Sequence, residues 1–525
     1  MKGADNLYSG RRSVLKATGV IGATAGLGAI AGCLDDPEGD DDDDLDEIVI
    51  TQGEIIENPD PNDHITGPYF NVLDPVYEPL FNVTPEFEFE SRVVEEWEDT
   101  DDGAELTLRD DVVFHNGDEM TAEDVAYTFN RMIDPELGIE SDQAAGLGAI
   151  DNAEALDDTT VLLEHDVAPS LAEFEYANYG RVVNQEWIEE QEQPVAGDDE
   201  EAFNGTGPYE VVEYEPDVQV VLEPFEDYWG DEATLERVVF NQDGESSGRA
   251  NALETGESDI VDNIIPEDVP GVDDADGVEI REETSLRNVF LVMKSGVEPF
   301  DSTEFRQAMN YAVDNEGIIS DALGGYGEAM TQPIPDGVFG HNPDLDTYEQ
   351  DIEQAEELVE ESGYAGEEIT LYSPEGRYLN DADVAQMAAD QIDQLDNVDC
   401  TFDTAPFPDI SDANSAGYDD EEMPFFLIGW GVITGDSDYG LAPFFVEEAP
   451  QETLRNEEIS EAILESQTIE DEDEREQQLQ EINEELREEA PWVFLHSQDS
   501  VYGVREDLEW EPRTDESIYL WELDS

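Results

Sequence analysis

Basic residues are scarce in this chain. Its 525 residues carry 139 Asp and Glu against 20 Lys and Arg, a formal charge of −119. Only Lys2, Lys16 and Lys294 are lysines. With no basic patch to neutralise phosphates, binding of nucleic acid through a basic surface is excluded. Electrostatic docking on anionic lipid is excluded for the same reason. Cysteine is almost missing too, with Cys33 and Cys400 alone. The five histidines are scattered, and HExxH, CxxC pairs, the P-loop and the Rossmann glycine fingerprint are all absent. Those absences remove the common zinc-hydrolase, redox and nucleotide-dependent classes.

What is present is aromatic. The chain holds 7 Trp, 19 Tyr and 21 Phe, spread through periodic segments, so high net charge here does not mean disorder. A surface this acidic repels itself at ordinary ionic strength. At 1 M salt the Debye length falls to about 3 Å and the repulsion largely vanishes. The composition is that of an extreme halophile's protein.

The N-terminus is informative. Arg11-Arg12 opens a twin-arginine pattern, Ala17 to Ala31 is an uncharged small-residue run, and Ile30-Ala-Gly-Cys33 closes it. The run is too short and too rich in Gly and Ala for a spanning helix. It resembles a Tat signal peptide (residues 1–32) with a lipobox, which makes Cys33 the lipidated first residue of the mature chain. The alternative is a chance apolar leader with a buried cysteine. Lipidation of Cys33 leaves Cys400 without a disulfide partner; it sits in the alternating run Val398–Phe402 and reads as a buried strand residue. Residues 33–47, with Asp40 to Asp44 unbroken, read as an acidic tether rather than a cation site.

From Ile48 strands and helices alternate. Val112 to His115 reads as a strand, Asn116-Gly117 as a turn, and Thr121 as the N-cap of a helix burying Val125, Phe129 and Met132. Tyr209–Tyr214 and Val218–Leu222 read as a strand pair. Helices are expected over Tyr348–Ser362, over Asp381–Leu395 and, as two helices, over Asn456–Glu489. Gly244-Glu-Ser246-Ser-Gly248 matches G-x-S-x-G, but polar residues separate it from the preceding strand and no histidine context follows. A serine hydrolase using Ser246 is therefore the remote alternative. Asp436-Ser-Asp438 lacks the later Gly and closing Glu of an EF-hand loop.

Val113-Phe-His-Asn-Gly-Asp-Glu-Met-Thr-Ala-Glu-Asp-Val125 closely resembles the signature of the extracellular solute-binding proteins of family 5, the peptide/nickel-type receptors of ABC importers. Asn58-Pro-Asp-Pro61, Val76-Tyr-Glu-Pro-Leu80, Thr206-Gly-Pro-Tyr209, Asp227-Tyr-Trp-Gly230, Ala252 to Ile260 and Pro299 to Asp314 extend the resemblance along the chain. It implies an α/β, two-lobe periplasmic-binding-protein-like fold with an extra subdomain in lobe I and a hinge of crossing strands. Lobe I would be 48–285 plus 490–525, with the subdomain near 93–204, and lobe II 286–489. It also implies a receptor rather than an enzyme: lipid-anchored at the extracellular face, monomeric, without cofactor, closing on a small solute or peptide and serving a permease/ATPase complex.

In peptide-binding members the Trp of the late glycine–tryptophan segment is followed three positions on by an acid that pairs with the peptide's ammonium. Here the segment is Gly429-Trp430-Gly-Val-Ile433-Thr-Gly-Asp436. Ile433 holds the matching position, so the amine clamp is missing or displaced to Asp436. Peptides held through their backbone and oligosaccharides stacked on Trp430 both stand, as does plain core packing of Trp430. Nickel is disfavoured because no His/Met cluster is visible. A chaperone or signalling receptor on the same scaffold also stands. Lys294, where the family usually carries Asn at or beside the position, lies on a strand bordering the expected cleft. Its two readings are an acid-paired surface lysine and an ammonium that holds an anionic ligand group.

Overall fold

The computed structural model describes residues 47–523 apart from 57, 64–65, 85–88, 101–102, 135–136, 138, 140, 142, 144–146, 148–149, 166–168, 192–194, 198, 231–232, 450 and 470. Arg11, Arg12, Cys33 and nearly all of the tether lie outside the described residues.

Two long strands, Val278–Met293 and Trp492–Arg505, pair antiparallel and carry one sheet through both lobes. On one side, Phe425–Gly431 joins the first of them, followed by Glu367–Ser373 and Val398–Thr404. On the other side, Ile260–Val261 joins the second, then Glu47–Gln52, Arg237–Gln242, Gln219–Pro224 and Tyr209–Glu215. These two strands are the connection between lobes. Their register slips between Thr284 and Asn288, where the strand leaves one half of the sheet for the other. The slip is satisfied from outside the ribbon: Leu286 N–H donates to Thr514 O (3.0 Å) and Val432 N–H to Leu286 O (2.9 Å). A bulge re-aims the side chains it contains, and here it turns Arg287 toward the boundary between lobes.

The extra subdomain is a separate four-stranded antiparallel sheet, ordered Val94–Thr100, Gly103–Leu108, Thr160–Glu164, Asn152–Ala155. The helix Ala122–Ile133 packs on it, with Val125, Phe129 and Met132 fully buried. Thr121 caps that helix as its type predicts, and the Asp124 carboxylate accepts from Thr121 N–H at 2.8 Å.

The expected secondary-structure elements form, with defined exceptions. Val112–His115 is a lone bridge, Val113 to Glu119, closing a tight turn in which Gly117 has φ +87°. The expected helix from Tyr348 starts at Ile352, because the Asp351 carboxylate accepts from Gln354 N–H (3.0 Å) and caps it there. The next ends at Ile392 rather than Leu395. The long acidic segment is two helices, Glu457–Ser466 and Glu472–Glu489. Cys400 is a buried, free thiol on a strand, its pKa pushed up to about 12 by burial and by Asp393 and Asp390. Ala250, Leu253, Val261, Ile264 and Val272 pack into the same buried cluster as lobe II, so the core runs across the 285/286 boundary expected from sequence.

Four of the motifs that carry the family resemblance, Val76–Leu80, Val113–Val125, Thr206–Tyr209 and Asp227–Gly230, meet in one place. His115 N–H donates to Gly205 O (2.8 Å) and its Nε2 to Gly207 O (3.0 Å). Gly205 and Gly207 lie so close to the Pro75–Val76 backbone that a Cβ would sit 1.8 Å from Val76 O and 2.2 Å from Pro75 O. Only glycine permits that approach. Tyr228 and Trp229 both donate to the buried Glu78 carboxylate, at 2.6 and 2.8 Å. Burial pushes Glu78 up to about 7 against the opposing charge of Arg92, and it pushes His115 down to about 4. These residues hold lobe I together.

Candidate ligand cleft between the lobes

A small polar cavity of about 40 Å³, open to solvent, lies where the tail, the hinge ribbon and the turn before the helix Asp381–Ile392 converge. Asn71, Asp262, Arg287, Arg377, Tyr378 and Glu516 are in its wall. Arg287 comes from the hinge bulge and Glu516 from the returning tail, where its φ of +64° is a conformation non-glycine residues rarely adopt. Arg287 grips Glu516 with three hydrogen bonds, Nε to Oε1 and Oε2 at 3.0 and 3.2 Å and Nη2 to Oε2 at 2.6 Å. Burial works to raise the Glu516 pKa, but the Arg287 charge and hydrogen bonds outweigh it and hold the carboxyl below its usual value.

Asp262 is engaged on the other side. Its Oδ1 lies 3.2 Å from Arg249 Nε and accepts Gly53 N–H at 3.1 Å. Burial, only partly offset by Arg249, raises its pKa.

Arg377 differs from every other described arginine. It stacks over Phe407 and Tyr378, 4.9 and 5.2 Å from their ring centres. Its buried Nε has no hydrogen-bond partner and, among the described residues, no carboxylate lies within 4.0 Å of it. All the other described arginines form ion pairs, except Arg487, which bonds Thr331 Oγ1 and Asp346 O. The turn presenting Arg377 is tightly held. Gly376, Arg377 and Tyr378 N–H groups all donate to the Asp381 carboxylate at 2.9–3.0 Å. Tyr378 Oη donates to Gly429 O (3.2 Å). A cation so placed has a defined position and no carboxylate at ion-pair distance, although its charge also acts on the nearby Asp262 and Glu516 carboxyls.

The residues singled out from sequence fall in different places. Gly429 abuts Tyr378, whose ring would lie 2.8 Å from a Cβ there. Trp430 is half-buried, packed against Phe444 (5.0 Å, edge-on) and Tyr439 (5.6 Å), with Nε1 donating to Tyr439 O at 3.0 Å. That arrangement favours packing over sugar stacking. Asp436 gives both carboxylate oxygens to Arg475, at 2.5 and 2.8 Å, and Oδ1 also accepts Asp438 N–H. It therefore is not the displaced amine clamp. Ile433 stands beside Arg287: a Cβ on Gly431 would be 3.4 Å from each.

Lys294 is acid-paired, 4.0 Å from Asp420, but it lies neither on the surface nor in the cavity wall. It lies seven residues along the strand from Arg287, about 23 Å away at strand rise, and its side chain is fully buried. Its ammonium donates to Ala413 O and Gly417 O (2.5 and 2.8 Å) at the end of the helix Phe407–Asn414. Burial, opposed by Asp420 and Asp419, pushes its pKa down to about 8. It closes a helix C-terminus and is not in the cavity wall. Ser246 Oγ donates to Asp268 (2.7 Å) and accepts Ile265 N–H (3.1 Å), pinning its helix without a histidine. Arg287, Arg377, Tyr378 and Glu516 were not legible as site residues. The available signal was arginine scarcity, which makes any arginine outside a motif worth tracing.

One contact crosses from the subdomain side to lobe II. Tyr179 and Tyr439 hydroxyls lie 2.6 Å apart. A polar cavity between two lobes joined by a strand ribbon is the arrangement of a receptor that captures a solute by closing on it. The chain belongs to the bacterial extracellular solute-binding proteins, family 5, whose middle-region model matches residues 88–451. It is 24% identical over 473 residues to a glutathione-binding protein, GsiB, of Pectobacterium atrosepticum, covering 86% of this chain and 88% of that one. It is 27% identical over 312 residues to the dipeptide-binding protein of Escherichia coli K12, covering 54% and 58%. Its fold matches the periplasmic binding protein DppA from Helicobacter pylori, solved with the peptide STSA, at a TM-score of 0.81 and 21% identity over 91% of this chain and 96% of that one. The family and these proteins are binding proteins, not enzymes.

Proposed function

We propose that the protein is a lipid-anchored receptor on the extracellular face of a halophile's membrane, delivering a carboxylate-bearing peptide or peptide-like solute to an ABC importer. Arg377 carries the reading. In a chain with 139 acids, a buried-edge guanidinium without a carboxylate is a position held open for an external anion. A planar guanidinium stacked on rings is well suited to a carboxylate. Peptide chemistry is supported by what the relatives are named for binding, dipeptides and glutathione, and by the peptide in the matched structure. The working division is lobe I over 48–285 and 490–525, its subdomain over 93–204, and lobe II over 286–489, with Cys33 as the anchor after Tat export through Arg11 and Arg12.

Mass spectrometry of solute released from protein purified in molar salt tests the ligand class. A carboxylate is expected, and a neutral sugar overturns the reading. For the anchor, Cys33→Ser should move the protein into the medium; retention on the membrane contradicts lipidation.

A further inference from the structure

A peptide with free ends brings an ammonium as well as a carboxylate. A buried ammonium needs an acid that is not already neutralised. The cavity wall has two acids, and both are engaged. Glu516 gives both oxygens to Arg287, and Asp262 faces Arg249. Glu54 acts on Asp262 by its charge but is not part of the wall. On the lobe II side, Asp436 is neutralised by Arg475, and Asp438 is buried behind it on Gln467 (3.1 Å). Beside Arg287 stands the apolar Ile433.

Among the wall residues, pairing each acid with its arginine leaves the Arg377 guanidinium over; the Asp381 carboxylate beneath its turn is spent on the Gly376, Arg377, Tyr378 and Ala382 N–H groups. An incoming ammonium would meet Arg287 and Arg377 with no free acid between them. An incoming carboxylate meets a cation stacked on two rings, with no carboxylate at ion-pair distance.

We infer that the cleft selects a monoanionic solute: one carboxylate seated on Arg377 and no free ammonium, as in an N-acylated or otherwise N-blocked peptide. The inference rests on the carboxylate-receptor reading above. It assigns to Ile433 and to the Arg287–Glu516 and Arg249–Asp262 pairs the role of excluding a cationic end.

The test is calorimetric titration of the full chain in molar salt with three matched probes. These are an N-acetylated tripeptide acid, the same tripeptide with a free N-terminus, and the acetylated tripeptide amide. The acetylated acid should bind at least about tenfold tighter than either other form. Arg377→Gln should bring acid and amide to equal affinity while leaving the circular dichroism spectrum unchanged. Equal or tighter binding of the free-amine tripeptide overturns the monoanion inference and leaves the receptor reading intact. Binding by none of the three at millimolar concentration overturns the peptide-carboxylate reading itself, and this inference with it.

Discussion

Arg287 and Glu516, 229 residues apart in the chain, meet as a bidentate ion pair on the wall of the interlobe cavity. The hinge bulge supplies one partner and the returning tail the other, so the pair ties the last residues of the chain to the strand that joins the lobes. The two side chains are partly exposed, 13 and 20%, so the unmatched charge left by breaking the pair costs up to roughly 3 kcal/mol, the low end of the range for fully buried pairs.

Glu516→Gln should therefore destabilise the fold by up to about 3 kcal/mol in denaturant titration, and Arg287→Met with Glu516→Leu should recover much of that loss. The Glu516 pKa is lower folded than unfolded. Its contribution is fully present above the unfolded carboxylate value near ~4.3 and is lost as pH falls through the folded value. Glu516→Gln should remove that acid-side slope; an unchanged slope contradicts the assignment.

Asp438 behaves in the opposite sense. Burial first, and then the Asp436 charge, pushes its pKa up to about 7, so the folded state holds a proton that the unfolded state has released. Stability should fall as pH rises from the unfolded value toward 7. Asp438→Asn keeps an acceptor for Gln467 and removes the charge. It should flatten that window and stabilise the protein at pH 8 by at least about 1 kcal/mol, the equivalent of under one pKa unit. Glu78, also raised to about 7 by burial, should leave a residual slope in the variant.

For Lys294, Lys294→Met should cost about 1–3 kcal/mol, because the Ala413 and Gly417 carbonyls lose a buried donor. Ligand affinity should not change. A loss of affinity without a loss of stability would return the residue to the cleft.

The acidic surface makes its own prediction. Near-UV circular dichroism should show tertiary packing lost as salt falls from molar to about 0.1 M, where screening reaches only ~10 Å. A spectrum unchanged down to low salt contradicts the halophile reading.

Much of the scaffold was legible because its signals are local. Thr121 caps a helix at the expected residue, the 3.6-residue spacing of Val125, Phe129 and Met132 puts them in the core, and the family motifs fall where chain segments touch. The cleft was not legible, because its residues become neighbours only through sheet order. Arg287, Arg377 and Glu516 belong to three separate segments, and no spacing relates them. Strand alternation shows which face Lys294 takes but not which end of a sixteen-residue strand meets the ligand, so it was placed at the wrong end. Asp436 was misread because its partner Arg475 lies on a helix 39 residues away.

Under the proposed function, Arg377 receives an anionic group when the lobes take up their ligand. The most direct test is calorimetric titration of the released native ligand into wild type and Arg377→Gln in molar salt, with unfolding measured on both. Affinity should fall at least tenfold, about 1.4 kcal/mol, while stability falls by no more than about 1 kcal/mol, the worth of its ring contacts. Equal affinity for the two proteins would contradict the account.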